Sequence, residues 1–344
     1  MRLRLTGALA ALAFAVAATP VGAAGDLNIF NWGNYTSPEL IEKFPKEYDV
    51  KVTITDYDSN ATALAKAKAG GHGFDIVVPS HSCIPILVSE GLLLESRSDQ
   101  LENFKNVSPE WVDVPCDPGR HYSVPWQWGT TGVAINREDY TGDINTSAIF
   151  LDPPDELVGK VNVVPEMEDV MAMALMYVGS ESCTTEKAAL KKARDLLMAA
   201  KPKWLSMDYG MTDKMSFGDV RASVNWNGST FRIRLANPTV EYGYPREGYP
   251  VWTDSVAILA DANNVDNAKL FMNFIMDPEN AAMISSFARY ANAIVGSYAY
   301  MPEDMKTAPE IVVPADLVAA GKFNATCSSE AQKLYTAIWT ELTK

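Results

Sequence analysis

Two aromatic residues, Trp32 and Tyr35, lie between an apolar segment and a helix start in the sequence IFNWGNYTSPEL. Small polar residues would suffice for a simple connection at this point. A tryptophan beside a strand usually belongs to the core, and that interpretation stays open at this stage. Alternatively, the flat rings could bury the methylene groups of a ligand and attract a cation. The choice depends on where the fold places this connection.

The segment that follows residue 25 alternates between strand and helix patterns. A helix is predicted from Pro38 to about Glu42, behind a capping box formed by Thr36 and Glu39, and Pro45 should kink or end it. The three strand-like segments are LNIFNW, VKVTITD and FDIVVPS, and the next two helical segments are ATALAKAKAG and CIPILVSEGLLLE. This order predicts an α/β fold with a mostly parallel sheet covered by helices on both faces.

The order of these elements places the opening aromatics at one edge of the sheet. Trp32, Asn34 and Tyr35 follow the first strand, and Ser80 follows the third. In open α/β sheets, ligands bind outside the carboxyl ends of the strands. We therefore expect these four residues to lie where a ligand would bind.

The later part of the chain repeats this organisation. A helix is predicted from Glu168 to Val178, another from Thr184 to Ala200, and a last one from about Ser329 to Leu342. The strand-like segments are KVNVVP, ASVNWNG, which should end in a turn, and YPVWTDSVAIL. The segment VPWQWGTTGVAIN is interpreted as a crossover between domains, in which Gly129 and Gly132 supply backbone freedom.

The N-terminal segment has the features of an export signal. Arg2 and Arg4 precede the apolar sequence GALAALAFAVAA, which is too short to span a bilayer, and small residues follow around Ala23. We predict that residues 1–24 are a signal peptide. Its removal makes the net charge of −14 two units more negative. Such an acidic protein is not expected to bind nucleic acid, and its charge favours cationic ligands.

The four cysteines, Cys83, Cys116, Cys183 and Cys327, show no metal-binding spacing. They allow three pairings into two disulfides in an oxidising compartment. If the pairs stay within the domains proposed below, Cys83 pairs with Cys116 and Cys183 pairs with Cys327. Free buried thiols are the alternative.

No motif for catalysis is apparent in the sequence. It contains no GxSxG elbow, and the three histidines are scattered without metal-ligand spacing. Glu166 and Asp169 could in principle serve glycoside hydrolysis, but the sequence does not reveal the separation that this chemistry needs. We expect neither enzymatic activity nor a cofactor or metal, and a secreted carbohydrate-active enzyme remains a distant alternative.

Six segments occur in an order and spacing similar to those of the periplasmic polyamine-binding proteins, which are the spermidine and putrescine receptors of ABC importers. These segments are IFNWGNY, FDIVVPS, VPWQWGTTGVAIN, NWNGS, VWTDSVAI and NFIMDPENA. The resemblance implies a two-lobed periplasmic binding protein fold with several interlobe crossovers. It implies an N-terminal lobe of residues 25–131 plus 254–297 and a C-terminal lobe of residues 132–253 plus 298–344.

The resemblance also implies a set of ligand-binding residues. It places aromatic walls and carboxylates around the ligand, with Asp254 and Asp169 paired with its ammonium groups. The complete predicted set is Trp32, Asn34, Tyr35, Ser80, Asp169, Trp226, Trp252, Asp254 and Tyr290. Aromatic faces suit methylene chains and cations, and a desolvated ammonium group needs a carboxylate or several oxygens. As alternatives, the tryptophans could be packing residues and Asp169 could be a first-turn helix acid.

The sequence departs from this family at three places. Asn34 stands where relatives commonly carry an acid, and Ser82 where spermidine-type members often have an aromatic residue. Asn324 is at most a substitute for a glutamine that those members use near the C-terminus. The length of the amine stays open for these reasons, and an aromatic cage for choline or glycine betaine is the alternative.

These observations together predict a periplasmic, monomeric receptor with a small cationic amine as its ligand. The resemblance implies that its lobes close on the amine and that a membrane permease of an ABC transporter receives it. A ligand shifts such an equilibrium only as far as it binds the closed state better.

Overall fold

The computed structural model describes residues 25–323 and 326–344. The predicted signal peptide, residues 1–24, and Asn324 lie outside the described residues. Among the described residues, no helix is long and apolar enough to cross a membrane.

The described residues form an α/β structure. The strands are β1 (Gly25–Trp32), β2 (Val50–Tyr57), β3 (Ile76–Val77), β4 (Ser123–Asn136), β5 (Val161–Val163), β6 (Ser206–Met207), β7 (Ala222–Trp226), β8 (Val240–Gly243), β9 (Tyr249–Ile258) and β10 (Gly321–Phe323). The helices are α1 (Pro38–Tyr48), α2 (Asn60–Ala69), α3 (Ile84–Ser89), α4 (Ala148–Leu151), α5 (Met167–Tyr177), α6 (Lys187–Ala200), α7 (Thr212–Ser216), α8 (Asn227–Ala236), α9 (Val265–Ile275), α10 (Pro278–Ala288) and α11 (Ser329–Leu342).

The strands pair in the order β2-β1-β3-β9-β4-β7-β5-β6, and β10 and β8 pair with β9 and β4. Strand β1 is parallel to β2 and β3, and β5 is parallel to β6 and β7. Strands β9 and β4 run antiparallel to their neighbours on the main path. The sheet is therefore mixed, with a parallel set at each end and the antiparallel strands between them.

Strand β4 crosses from one set of strands to the other. Its residues Ser123–Thr130 pair with β9, and Thr131–Ile135 pair with β7. Contrary to the prediction, Gly129 and Gly132 do not supply backbone freedom here. A Cβ atom on Gly129 would lie 2.4 Å from Asn227 Oδ1, and one on Gly132 would lie 2.3 Å from the Gly243 carbonyl oxygen. The absence of a side chain at these glycines allows other segments of the protein to pack closely against β4.

Two large hydrophobic clusters flank the sheet. One packs α1 and α9 against β1 and includes Phe44 and Phe271. The other packs α5, α6 and α11 against β5 and β7 and includes Met171 and Tyr335. The lobe boundaries proposed from the resemblance stay a prediction.

Helix α1 differs from its prediction at both ends. Its N-cap is Ser37, whose hydroxyl accepts a hydrogen bond from the Leu40 amide, whereas Thr36 accepts one from the Asn31 side chain. The helix continues past Pro45 to Tyr48. Proline removes one helical hydrogen bond, but the burial of the apolar face, with Phe44 fully buried, outweighs that loss.

Only one of the two expected disulfides forms. Cys183 and Cys327 are bonded and connect the segment after α5 to the start of α11. The predicted pair of Cys83 and Cys116 is wrong, since both are free and buried. Buried thiols act as small apolar side chains, and burial raises the pKa of both.

Candidate ligand-binding site

A cleft with about 840 Å³ of space between protein atoms, part of it open to solvent, lies at the predicted edge of the sheet. All of the residues predicted to contact a ligand line this cleft: Trp32, Asn34, Tyr35, Ser80, Asp169, Trp226, Trp252, Asp254 and Tyr290. The fold thus brings together residues that are up to about 260 positions apart in the sequence. Their contact with a ligand remains a prediction.

Trp32 and Tyr35, on the connection between β1 and α1, are buried as well as lining the cleft. The Trp32 indole Nε1 donates to the Val78 carbonyl oxygen at 3.0 Å, and the ring packs against Tyr57. Asn34 between them is exposed and has a φ of 56°, a left-handed conformation that asparagine tolerates well. Core packing therefore fixes these aromatics at the edge of the cleft, and their contact with a ligand stays a prediction.

The aromatic walls of the cleft contact one another edge to face. The ring centroids of Trp32 and Trp226 are 6.0 Å apart, and those of Tyr35 and Tyr290 are 5.5 Å apart. Trp252 lies 5.3 Å from Tyr290. Edge-to-face packing fixes the rings while it leaves aromatic surface for a ligand. The segment after Trp226 is the first turn of α8, whereas the sequence had predicted a turn there.

A hydrogen-bond network fixes Asp169 in the first turn of α5. Its Oδ2 accepts hydrogen bonds from the Trp226 indole at 3.0 Å and from the Thr131 hydroxyl at 2.7 Å. The Trp252 indole donates to the Thr131 hydroxyl oxygen at 3.1 Å. Asp169 is also buried, so it is more than a solvated first-turn acid. The network links two walls of the cleft to one carboxylate.

Asp254, in the middle of β9, is the second buried carboxylate predicted for the site. Burial raises its pKa to about 7, the Tyr35 and Ser80 hydroxyls oppose that rise, and the charge of Asp169 adds to it. The side-chain amide of Asn60 holds Ser80 in place, donating to its hydroxyl at 2.8 Å and accepting from its backbone amide at 3.1 Å. A cation beside Asp254 would restore its charged form.

Two further carboxylates, which are not in the predicted set of ligand-binding residues, also line the cleft. Glu166 precedes α5, and Glu168 lies in its first turn. Burial raises the pKa of both side chains, and the neighbouring acids raise that of Glu166 further. Glu166, Glu168 and Asp169 lie within four residues of one another, and the family resemblance led the prediction to Asp169.

Asn60, Tyr209 and Arg232 also line the cleft and were not predicted. The Tyr209 hydroxyl donates to the Gly33 carbonyl oxygen at 3.0 Å, and the Arg232 guanidinium lies 5.8 Å from the centre of the Tyr290 ring. Asn60 follows β2, so the edge rule that selected Trp32 and Ser80 could have found it. Nothing in the local sequence marks Tyr209 or Arg232.

Three of the acids that line the cleft are buried or partly buried. Within residues 25–323 and 326–344, no ion pair involves Asp254, Glu166 or Glu168. The same described residues contain no group of histidines, cysteines and acids that could hold a metal ion. Buried carboxylates without a cationic partner attract a cation from outside.

Comparison with known proteins identifies the family. A family model for bacterial extracellular solute-binding proteins matches residues 39–313. The chain belongs to this family.

Two characterised relatives of this solute-binding protein cover most of its length. It is 31% identical over 285 residues to the spermidine/putrescine-binding periplasmic protein of Escherichia coli strain K12, a match that covers 82% of each chain. It is 28% identical over 336 residues to the putrescine-binding periplasmic protein of the same strain, covering 92% of this chain and 90% of the relative.

Solved structures agree with the fold assignment. An ABC transporter protein from Listeria monocytogenes superimposes with a TM-score of 0.85 at 29% identity, over 92% of this chain and 98% of the other. The solute-binding protein therefore has the predicted two-lobed periplasmic binding protein fold. Its family binds solutes, and the sequence had likewise favoured a receptor over an enzyme.

We expect Trp226→Phe to weaken ligand binding about tenfold or more. Phenylalanine keeps an aromatic wall but removes the indole hydrogen bond to Asp169, and hydrogen bonds to charged groups contribute about 1.5–3 kcal/mol. Isothermal titration calorimetry measures the change.

Trp204→Phe is the matched control for this variant. The Trp204 indole donates to the Phe150 carbonyl oxygen inside the second core cluster, away from the cleft. This variant should lose stability and retain affinity. Equal affinity of the Trp226→Phe protein and the wild type would contradict the role of the network.

Proposed function

We propose that this solute-binding protein captures a polyamine, such as spermidine or putrescine, in its cleft and delivers it to the membrane permease of an ABC importer. The observation that carries the proposal is the combination of aromatic walls with Asp254, Glu166 and Glu168, which are buried or partly buried acids without a cationic partner in the described chain. The names and coverage of the two Escherichia coli relatives support it. Their names also support a periplasmic location.

The chemistry of a polyamine matches the arrangement of the cleft. Its methylene chain can pack on Trp32, Trp226 and Trp252, and its ammonium groups can pair with Asp254 and Asp169. A quaternary amine such as choline has no N–H donor, so buried carboxylates would be only partly satisfied by it.

We further propose that the ligand favours a closed arrangement of the two lobes and that the protein acts as a monomer. The hydrogen bond from Tyr209 to Gly33 joins the loop after β6 to the loop after β1 across the cleft. A ligand that contacts both sides would favour contacts of this kind. The closed receptor is the form that the permease would recognise.

A thermal-shift panel of the purified protein with putrescine, spermidine, agmatine, choline, glycine betaine and a neutral sugar tests the proposal. A true ligand at a hundredfold excess over its dissociation constant increases the free energy of unfolding by about 2.7 kcal/mol. This increase raises the melting temperature by a few degrees. A shift with polyamines and not with the sugar is expected. A shift with choline or betaine alone would overturn the polyamine assignment.

A further inference from the structure

Ser82 and Glu168 form a polar corner of the cleft. The resemblance predicts an aromatic residue near position 82 in spermidine-type members, whereas this chain has a serine that is 1% exposed. Burial raises the pKa of Glu168, and the Ser82 hydroxyl and the Gln332 amide oppose that rise. An aromatic wall at this corner would pack on methylene groups, whereas a hydroxyl and a carboxylate need hydrogen-bond donors.

Gln332 reaches Glu168 from the C-terminal helix, its Nε2 donating to Glu168 Oε1 at 3.4 Å. The start of this helix, α11, is tied to the rest of the protein by the disulfide of Cys183 and Cys327. The Tyr335 hydroxyl also accepts a hydrogen bond from the Cys183 amide at 2.6 Å. Gln332 is therefore presented by an anchored element and can hold Glu168 in one orientation.

Three other charged groups that line the cleft already have partners within the protein, and among them Glu166 Oε2 accepts a hydrogen bond from the Asn60 backbone amide at 3.4 Å. Asp208 forms an ion pair with Lys214 at 2.9 Å, and the Arg232 guanidinium donates to the Ala288 carbonyl oxygen. In the proposed function, Asp254 and Asp169 pair with the two ammonium groups of a diamine. A further carboxylate at the corner provides for one more cationic group.

Building on the proposed function, we infer that Ser82, Glu168 and Gln332 form a subsite for an additional cationic group of the ligand. Glu168 binds that group directly, and Gln332 is a positioning residue. The subsite makes the receptor selective for a triamine over a diamine, because only the longer ligand has a charge left for Glu168.

Calorimetric titration of Glu168→Gln with putrescine and spermidine tests this subsite. The substitution keeps the size of the side chain and removes its charge. We expect spermidine affinity to fall about tenfold or more, as for a lost charge-assisted hydrogen bond, and putrescine affinity to change less than about twofold. Glu186→Gln, the same change at an exposed residue before α6, should leave both affinities as in the wild type.

Gln332→Ala provides a second variant that keeps the carboxylate. It should lower spermidine affinity severalfold and leave putrescine affinity unchanged, whereas a purely structural role would lower both together. Agmatine, which has a guanidinium group at one end, is titrated in parallel. This titration shows whether the subsite binds a guanidinium group rather than a third ammonium group. Loss of agmatine affinity alone in Glu168→Gln would overturn the triamine assignment.

Two other outcomes would also overturn the subsite. One is unchanged spermidine affinity in Glu168→Gln, and the other is an equal loss for both polyamines. Failure of the proposed function is distinguishable from these outcomes, since the wild-type protein would then bind none of the amines.

Discussion

The Asp254→Asn protein should bind a polyamine at least about a hundredfold more weakly than the wild type. Asparagine keeps the shape of the side chain but leaves a buried ammonium group without its charged partner, which costs several kcal/mol. Asp254 lies in the centre of β9 among hydroxyls and aromatic rings, so no water-exposed acid can take its place. Isothermal titration calorimetry with the best ligand of the panel gives the affinity.

Stability measurements on the same variant separate lost binding from lost folding. The ligand-free Asp254→Asn protein should be at least as stable as the wild type at pH 8, because it no longer buries a negative charge. Asp316→Asn, the same change at an exposed position, should alter neither affinity nor stability. Wild-type affinity in the Asp254→Asn protein would remove Asp254 from the site.

The second large effect concerns pH. A fall in pH should raise the stability of the ligand-free protein and lower its affinity for the ligand. The pKa of Asp254 is about 7 in the folded protein, above its usual value of 3.8. Because the folded pKa is raised, protonation favours folding, and this contribution is present below about pH 4 and lost as the pH rises through 7. This contribution of Asp254 to the free energy of unfolding amounts to roughly 4 kcal/mol at most. The melting temperature of the free protein should therefore fall between pH 5 and pH 8.

Ligand affinity should change in the other direction, since an ammonium group binds the ionised acid. The dissociation constant should rise by up to about tenfold per pH unit as the pH falls below 7, for each acid that must ionise. Burial raises the pKa of Glu166 and Glu168 as well, so these acids add to the slope.

Proton release on binding provides the decisive measurement for this prediction. Titrations at pH 6 in buffers of different ionisation enthalpy count the protons released. The wild type should release about one proton more than Asp254→Asn. Equal release from the two proteins would mean that Asp254 is already ionised before the ligand binds.

The succession of strands and helices in the first part of the chain and the edge where the cleft lies were predictable, because short apolar segments alternate with helical ones. Errors arose where tertiary packing outweighed local preference. Helix α1 passes through Pro45 because its apolar face is buried, and Asn227 begins a helix rather than a turn. The role of Gly129 was misjudged because only the folded structure brings Asn227 and Trp252 against it.

The residues of the candidate site also differ in how far the sequence predicted them. Trp32, Tyr35 and Ser80 follow strands at one edge, so periodicity alone located them. The more distant residues, such as Asp254 and Tyr290, depended on the family resemblance. Tyr209 escaped both approaches because its role depends on a contact with Gly33 that no local pattern encodes.

The position of β9 has a consequence for how the chain acquires its structure during synthesis. Strand β9 lies between β3 and β4 in the sheet, although it follows both by more than a hundred residues in the sequence. A nascent chain that ends at β4 therefore lacks the strand that joins the two, and its hydrophobic surface stays uncovered. Pairing between such distant segments is slow, because a large loop must close first. We therefore expect the segment that ends at β4 to complete its fold only after β9 has been made.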